Sequence, residues 1–131
     1  MTSTPIRSCR VLVVDDNKDN AESLSRMLEA MGCNAHYIIN PLDALAAVER
    51  HKPHIAFLDI GMPDIDGYQL AHHIRTRYPR EEIALVALTG YASDESRARS
   101  RVAGFDAHLA KPASPDLVES TLHQFNVETR K

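Results

Sequence analysis

Residues 10–15 read RVLVVD, and this stretch decides how the chain folds. Val11 to Val14 is an unbroken apolar run, mostly β-branched, the composition of a strand buried on both faces. It stops abruptly at two carboxylates, Asp15 and Asp16. The same design recurs downstream. IAFL (55–58) ends at Asp59, IALVAL (83–88) at Thr89, and AHLA (107–110) at Lys111. A buried strand followed at once by a polar residue is how a parallel sheet sets chemistry at its carboxyl edge.

Helical segments fill the intervals. Residues 17–31 carry Ala21, Leu24, Met27, Leu28 and Met31 at helical spacing, and Gly32 ends the run. NAHYII (34–39) is a second strand. Asn40-Pro41 opens a helix, with Asn40 as cap and Leu42, Leu45, Ala46 and Val48 as its apolar positions, stopping before Pro53. HIAFLD (54–59) is the third strand and GMPDIDG (61–67) a loop. A helix from Tyr68 to Tyr78 follows, its core face including Leu70 and Ile74. Strand 83–88 leads to a polar helix capped by Ser93 and ending near Val102. DAHLA (106–110) is the fifth strand. Ser114-Pro115 opens a last helix with Leu117, Val118, Thr121, Leu122 and Phe125 as its stripe. Alternating strands and helices in one chain of 131 residues predict an α/β three-layer sandwich, flavodoxin-like, with a five-stranded parallel sheet of order 2-1-3-4-5 and five helices. Residues 9–126 form the domain, 1–8 a disordered polar leader and 127–131 a tail.

Composition excludes several classes. A net charge of −3 gives no electrostatic reason to bind nucleic acid or an anionic membrane. No apolar run approaches the roughly 18 residues of a membrane span. MTSTPIRSCR lacks the apolar centre of a signal peptide, so a cytoplasmic location is expected. Cys9 and Cys33 have no metal-ligand spacing and read as reduced, small apolar residues.

In the order 2-1-3-4-5, strands one and three flank the binding crevice, so Asp15, Asp16 and Asp59 are expected to meet. Clustered carboxylates raise one another's pKa unless a cation lies among them. Mg²⁺ is the usual partner of a few carboxylates plus phosphate oxygens, and one carboxylate can act as a nucleophile and become an acyl phosphate. Lys111 can pair with a carboxylate and then with a phosphoryl oxygen, and the Thr89 hydroxyl can donate to another oxygen. Each residue alone has a plainer explanation: acidic residues suit a helix start, and Asp59, Thr89 and Lys111 each suit a strand end. Their convergence on one edge does not.

VLVVDD (11–16), LDIGMPDIDG (58–67), ALTGY (87–91) and GFDAHLAKP (104–112) together resemble the four signatures of the response-regulator receiver domain of two-component signalling. The resemblance implies that Asp59 is the phosphoacceptor. It implies that Asp15, Asp16, Asp59 and the Gly61 backbone carbonyl hold Mg²⁺, with Asp16 the more direct ligand and Asp15 acting through water. Thr89 matches the switch hydroxyl and Lys111 the site lysine. Lys111-Pro112 matches a cis peptide, and Met62, Pro63 and Gly67 match the loop that shapes the site. A sensor histidine kinase or a histidine phosphotransfer protein is the implied phosphoryl donor. The face made by the fourth helix, fifth strand and fifth helix is the implied contact for a downstream protein. No segment reads as an output domain, so the chain is expected to be either a stand-alone regulator or the receiver of a hybrid kinase.

His108 stands where many members of that family have the aromatic switch residue, and it is a switch candidate together with Thr89. Tyr91 and Gly61 match positions that flank the phosphoryl group and set its lifetime. Arg97, Arg99 and Arg101 make the fourth helix basic, with Glu95 and Arg99 spaced to pair. The pairs His51/His54 and His72/His73 lack a third metal ligand. Two other classes use related chemistry. A haloacid-dehalogenase-type phosphatase carries a second Asp two residues after its nucleophile, where this chain has Gly61. A partner-binding pseudo-receiver has no need of the complete acidic, hydroxyl and amine set.

Overall fold

The computed structural model describes residues 9–62, 66–90 and 94–129, with the side chains of 94–97, 100 and 126–129 excluded. The leader 1–8, Pro63, Tyr91, the cap assigned to Ser93 and the Glu95 side chain lie outside the described residues. The elements are β1 Arg10–Val14, α1 Lys18–Ala30, β2 Asn34–Ile38, α2 Ala44–His51, β3 Ile55–Asp59, α3 Gly67–Arg77, β4 Ala84–Thr89, α4 Asp94–Ala103, β5 Ala107–Ala110 and α5 Pro115–Thr129. The strands pair in parallel in the order β2-β1-β3-β4-β5. This is the order expected from the sequence.

The apolar runs cover both faces of the sheet. Successive side chains of a strand point to opposite sides. Val11, Val13, Ile55, Phe57 and Val86 pack with α1 and α5, through Leu24, Leu28, Val118, Leu122 and Phe125. Leu12, Val14, Ala56, Leu58, Leu85 and Ala87 pack with α2 and α3, through Ala47, Val48, Leu70 and Ile74. β3 and β4 are buried along their whole length, whereas β2 and β5 at the sheet's ends are partly exposed. The continuous runs are therefore the central strands.

Three details depart from the sequence reading. Asn40 does cap a helix start, its side chain accepting from the Leu42 N–H, but the first turn, Pro41–Asp43, is a 3-10 turn. That turn resets the phase. α2 buries Ala44, Ala47 and Val48, while Leu42 is 68% exposed and Ala46 faces solvent. Leu117 is 51% exposed. The stripe of α5 runs Val118, Thr121, Leu122, Phe125, and Leu117 is rotated about 100° away from its start. α5 also continues to Thr129, into the stretch expected to be tail.

α3 begins at Gly67, one residue earlier than its apolar pattern indicates, because Asp66 and Gln69 form a reciprocal capping box. A Cβ at Gly67 would lie 2.6 Å from the Asp59 carbonyl oxygen and from Ile60 Cα. Glycine is thus required for the first turn of α3 to close against the end of β3.

At the opposite edge of the sheet a partly buried ion pair ties three segments. Arg75 of α3 pairs with Asp106, and donates from Nε to the Gly104 carbonyl at 2.9 Å and from a terminal nitrogen to the Ile83 carbonyl at 2.7 Å. Asp106 also accepts from the Leu85 N–H at 2.9 Å. Removing Arg75 takes this donor from the Gly104 and Ile83 carbonyls and leaves Asp106 with the exposed Arg80 at 3.5 Å as its remaining cation. Arg75→Met is expected to lower the unfolding free energy by about 3 kcal/mol in urea melts. A loss below about 1 kcal/mol, the range of a surface ion pair, would show that the network contributes little.

Candidate functional site

The register brings the predicted residues to one edge. Val14 pairs with Leu58, so Asp15 and Asp59 leave the ends of adjacent strands side by side. Thr89 ends β4, and the Lys111 N–H donates to its carbonyl at 2.7 Å. This bond ties the Lys111 backbone to the end of β4 just after β5. The Lys111-Pro112 peptide is cis, as expected.

Asp15, Asp16 and Asp59 each offer a carboxylate oxygen within 4.8 Å of the others. Asp15 and Asp59 are buried, at 2% and 3% exposure, and Asp16 is open to solvent. Lys111 Nζ lies 3.1 Å from Asp59 Oδ1 and 3.9 Å from Asp15 Oδ2. The Gly61 N–H donates to Asp59 Oδ1 at 3.0 Å, and the Asn17 N–H to Asp15 Oδ1 at 2.9 Å. Thr89 is buried at the same edge. Asp15, Asp16, Asp59, Gly61, Thr89 and Lys111 are therefore gathered at one end of the sheet. His108 lies apart on β5, half-buried and in register with Ala87, which packs on the α2–α3 side.

One ammonium faces three carboxylates, and the electrostatics record the deficit. The Asp15 pKa is pushed up to about 6, chiefly by burial and further by the neighbouring Asp59 carboxylate. The Asn17 N–H and Lys111 pull the other way without cancelling this. A cluster of hard oxygen donors short of positive charge fits Mg²⁺ well and fits soft-metal chemistry poorly.

Several features of the site were not read from the sequence. The side chain of Asn17 caps α1 by accepting from the Asn20 N–H at 3.0 Å, while its own N–H holds Asp15. An Asn directly after an acidic pair and before a helix is a capping signal that was available. A cleft of about 310 Å³ opens beside Asp15 and Lys111, walled by Leu24 and Met27 of α1, Leu88, Pro112 and Ala113. Its walls come from distant segments, so no local pattern announces it. Arg99 stacks on the Tyr68 ring at 4.1 Å and lies 3.9 Å from Asp66, bridging α4 to the start of α3.

The comparisons with known proteins agree with this geometry. The family model described as response regulator receiver domain matches residues 11–123. The chain belongs to this family, and is thus a receiver domain of two-component signalling. Among similar proteins, the uncharacterized 14.6 kDa protein in the sodA1 3′ region of Leptolyngbya boryana is 36% identical over 105 residues, with 80% of each chain covered. Protein PilG of Pseudomonas aeruginosa is 32% identical over 107 residues, covering 82% of this chain and 79% of that protein. Hybrid signal transduction histidine kinase L of Dictyostelium discoideum is 37% identical over 109 residues, but the match spans only 6% of that protein. Among solved structures, a CheY-like response regulator receiver domain protein from Methanospirillum hungatei is 30% identical with a TM-score of 0.82, covering 93% of this chain and 97% of that one. Among the described residues no helix is long and apolar enough to cross a membrane.

The raised Asp15 pKa has a stability consequence. Its folded value, about 6, exceeds the ordinary value of 3.8 that the unfolded chain retains. Between these values the native state holds a proton that the unfolded chain has released, so stability falls as pH rises through that window. In metal-free buffer, Asp15→Asn is expected to be more stable than the parent at pH 7, and the advantage should shrink toward pH 4. Paired denaturant melts at the two pH values check this. A variant equally or less stable at pH 7 would contradict the assignment.

Proposed function

We propose that Asp59 accepts a phosphoryl group from a phosphohistidine in a Mg²⁺-dependent reaction, and that the acyl phosphate changes the conformation of the domain. The observation that supports this most strongly is the environment of the Asp59 carboxylate. It is buried, its Oδ1 is held by Lys111 and by the Gly61 N–H, and two further carboxylates lie within 4.8 Å. With Oδ1 anchored, Oδ2 makes the attack on phosphorus. The P–N bond breaks and its electron pair leaves with the donor imidazole.

Asp15, Asp16, Asp59 and the Gly61 carbonyl would hold Mg²⁺, which supplies charge neutralisation for the transferring phosphoryl group. Lys111 shifts from the carboxylate to a phosphoryl oxygen, and the Thr89 hydroxyl donates to another. A Cβ at Gly61 would sit 3.7 Å from Asp59 Oδ1, in ordinary van der Waals contact. Residue 61 therefore borders the reacting carboxylate, and glycine leaves that approach open to water. The shielding of the acyl phosphate from water is assigned to Tyr91, which lies outside the described residues. The movement of Thr89 is passed to His108 on the neighbouring strand, and from there to the face formed by α4, β5 and α5, where a downstream protein binds. The donor is a sensor histidine kinase or a histidine phosphotransfer protein. The domain acts in the cytoplasm and transforms no substrate other than its own aspartate.

Incubation with acetyl phosphate and Mg²⁺ is expected to add one labile phosphoryl mass, and to move the His108 ring resonances in NMR spectra. Both changes should vanish in Asp59→Asn and on chelation of the metal. Mass gain persisting in Asp59→Asn would reject the acceptor. A mass gain that leaves the His108 resonances in place would reject the switch.

A further inference from the structure

Cys9 and Cys33 lie outside the phosphorylation chemistry, at the opposite edge of the sheet. β1 and β2 pair in parallel from Arg10 with Asn34 onward, and the Asn34 N–H donates to the Cys9 carbonyl at 2.9 Å. Cys9 and Cys33 are the next step back along that pairing. Both side chains enter the same core cluster on the α1–α5 side, at 0% and 6% exposure. Neighbouring parallel strands are about 4.8 Å apart. A disulfide needs Cα atoms about 4.4–6.8 Å apart with Cβ atoms on the same side. The lateral position of the two residues meets both conditions without moving a strand.

The two thiols are free, and each shifts the other's acidity. The Cys33 thiol stabilises negative charge on Cys9, and the nearby Arg10 adds to this, so the Cys9 pKa is lowered despite burial. The Cys33 thiol is pushed up by the same contact and by burial. A cysteine of lowered pKa next to a second thiol is the arrangement of an attacking and a resolving cysteine.

We propose that Cys9 and Cys33 form a reversible dithiol site that a peroxide converts to an intramolecular disulfide. Cys9 sulfur attacks one peroxide oxygen, the O–O bond breaks, and the departing hydroxide takes the thiol proton as water. Cys33 sulfur then attacks the sulfenic sulfur, the S–S bond forms, and the S–O bond breaks. This second hydroxide takes the Cys33 proton. Two thiols and one hydrogen peroxide yield one disulfide and two waters, the two electrons passing from sulfur to peroxide. The closed loop would restrict the unfolded chain and make the oxidised domain the more stable form. The distance from Asp59 leaves phosphoryl acceptance open to both redox forms, so this inference does not depend on the function proposed above.

The test treats the intact reduced chain with hydrogen peroxide, quenches with an alkylating agent under denaturing conditions, and maps peptides by mass. The expected product is a single chain lighter by two hydrogens, with Cys9 and Cys33 peptides linked. Its thermal midpoint should be raised, and dithiothreitol should reverse both changes. Cys9→Ser and Cys33→Ser should show no rise in midpoint on the same treatment. Two alkylated thiols after peroxide, sulfinic acid on either cysteine, or a disulfide between chains would each overturn the proposal.

Discussion

Three carboxylates held at one sheet edge against a single lysine are the constraint around which this domain is arranged. Lys111 is 3.1 Å from Asp59 and 3.9 Å from Asp15, and it cannot neutralise Asp15, Asp16 and Asp59 together. Burial first, and then the Asp59 carboxylate, push the Asp15 pKa up to about 6. Burial makes the repulsion worse, because low dielectric weakens screening. The same deficit makes the site useful. A divalent cation among these carboxylates would lower the energy of the cluster.

The remainder of the fold compensates for that local instability. Central strands β3 and β4 are buried throughout, and two apolar clusters clamp the sheet from both sides. The network of Arg75, Asp106, Gly104 and Ile83 fastens the far edge of the sheet, where no phosphoryl chemistry takes place. Gly67 lets α3 start directly against the end of β3. The backbone carrying Asp59 is therefore held by packing rather than by its own electrostatics.

The sequence was most legible where one physical cause dominated. VLVV, IAFL and IALVAL can be little but buried strands, and the polar residue after each could only lie at the carboxyl edge. Strand order then placed Asp15 beside Asp59. Legibility failed where two causes competed. Leu42 read as core because its apolar character fits a helix from Pro41, but the 3-10 turn rotated it into water. Leu117 read as part of a stripe whose phase is set by Val118 instead. Arg75 and Asp106, thirty-one positions apart, carried no local signal of their pairing. The adjacency of Cys9 and Cys33 was likewise invisible without the β1–β2 register, since two cysteines in a short chain look like ordinary small apolar residues.

The most direct measurement is a crystal structure of the chain soaked in Mn²⁺ as a stand-in for Mg²⁺, with the ion located from its anomalous scattering. The account requires one peak at the carboxyl edge, within coordinating distance (about 2.1–2.3 Å) of carboxylate oxygens of Asp16 and Asp59 and of the Gly61 carbonyl. A peak elsewhere on the molecule, or one at this edge that Asp59 does not touch, would contradict it.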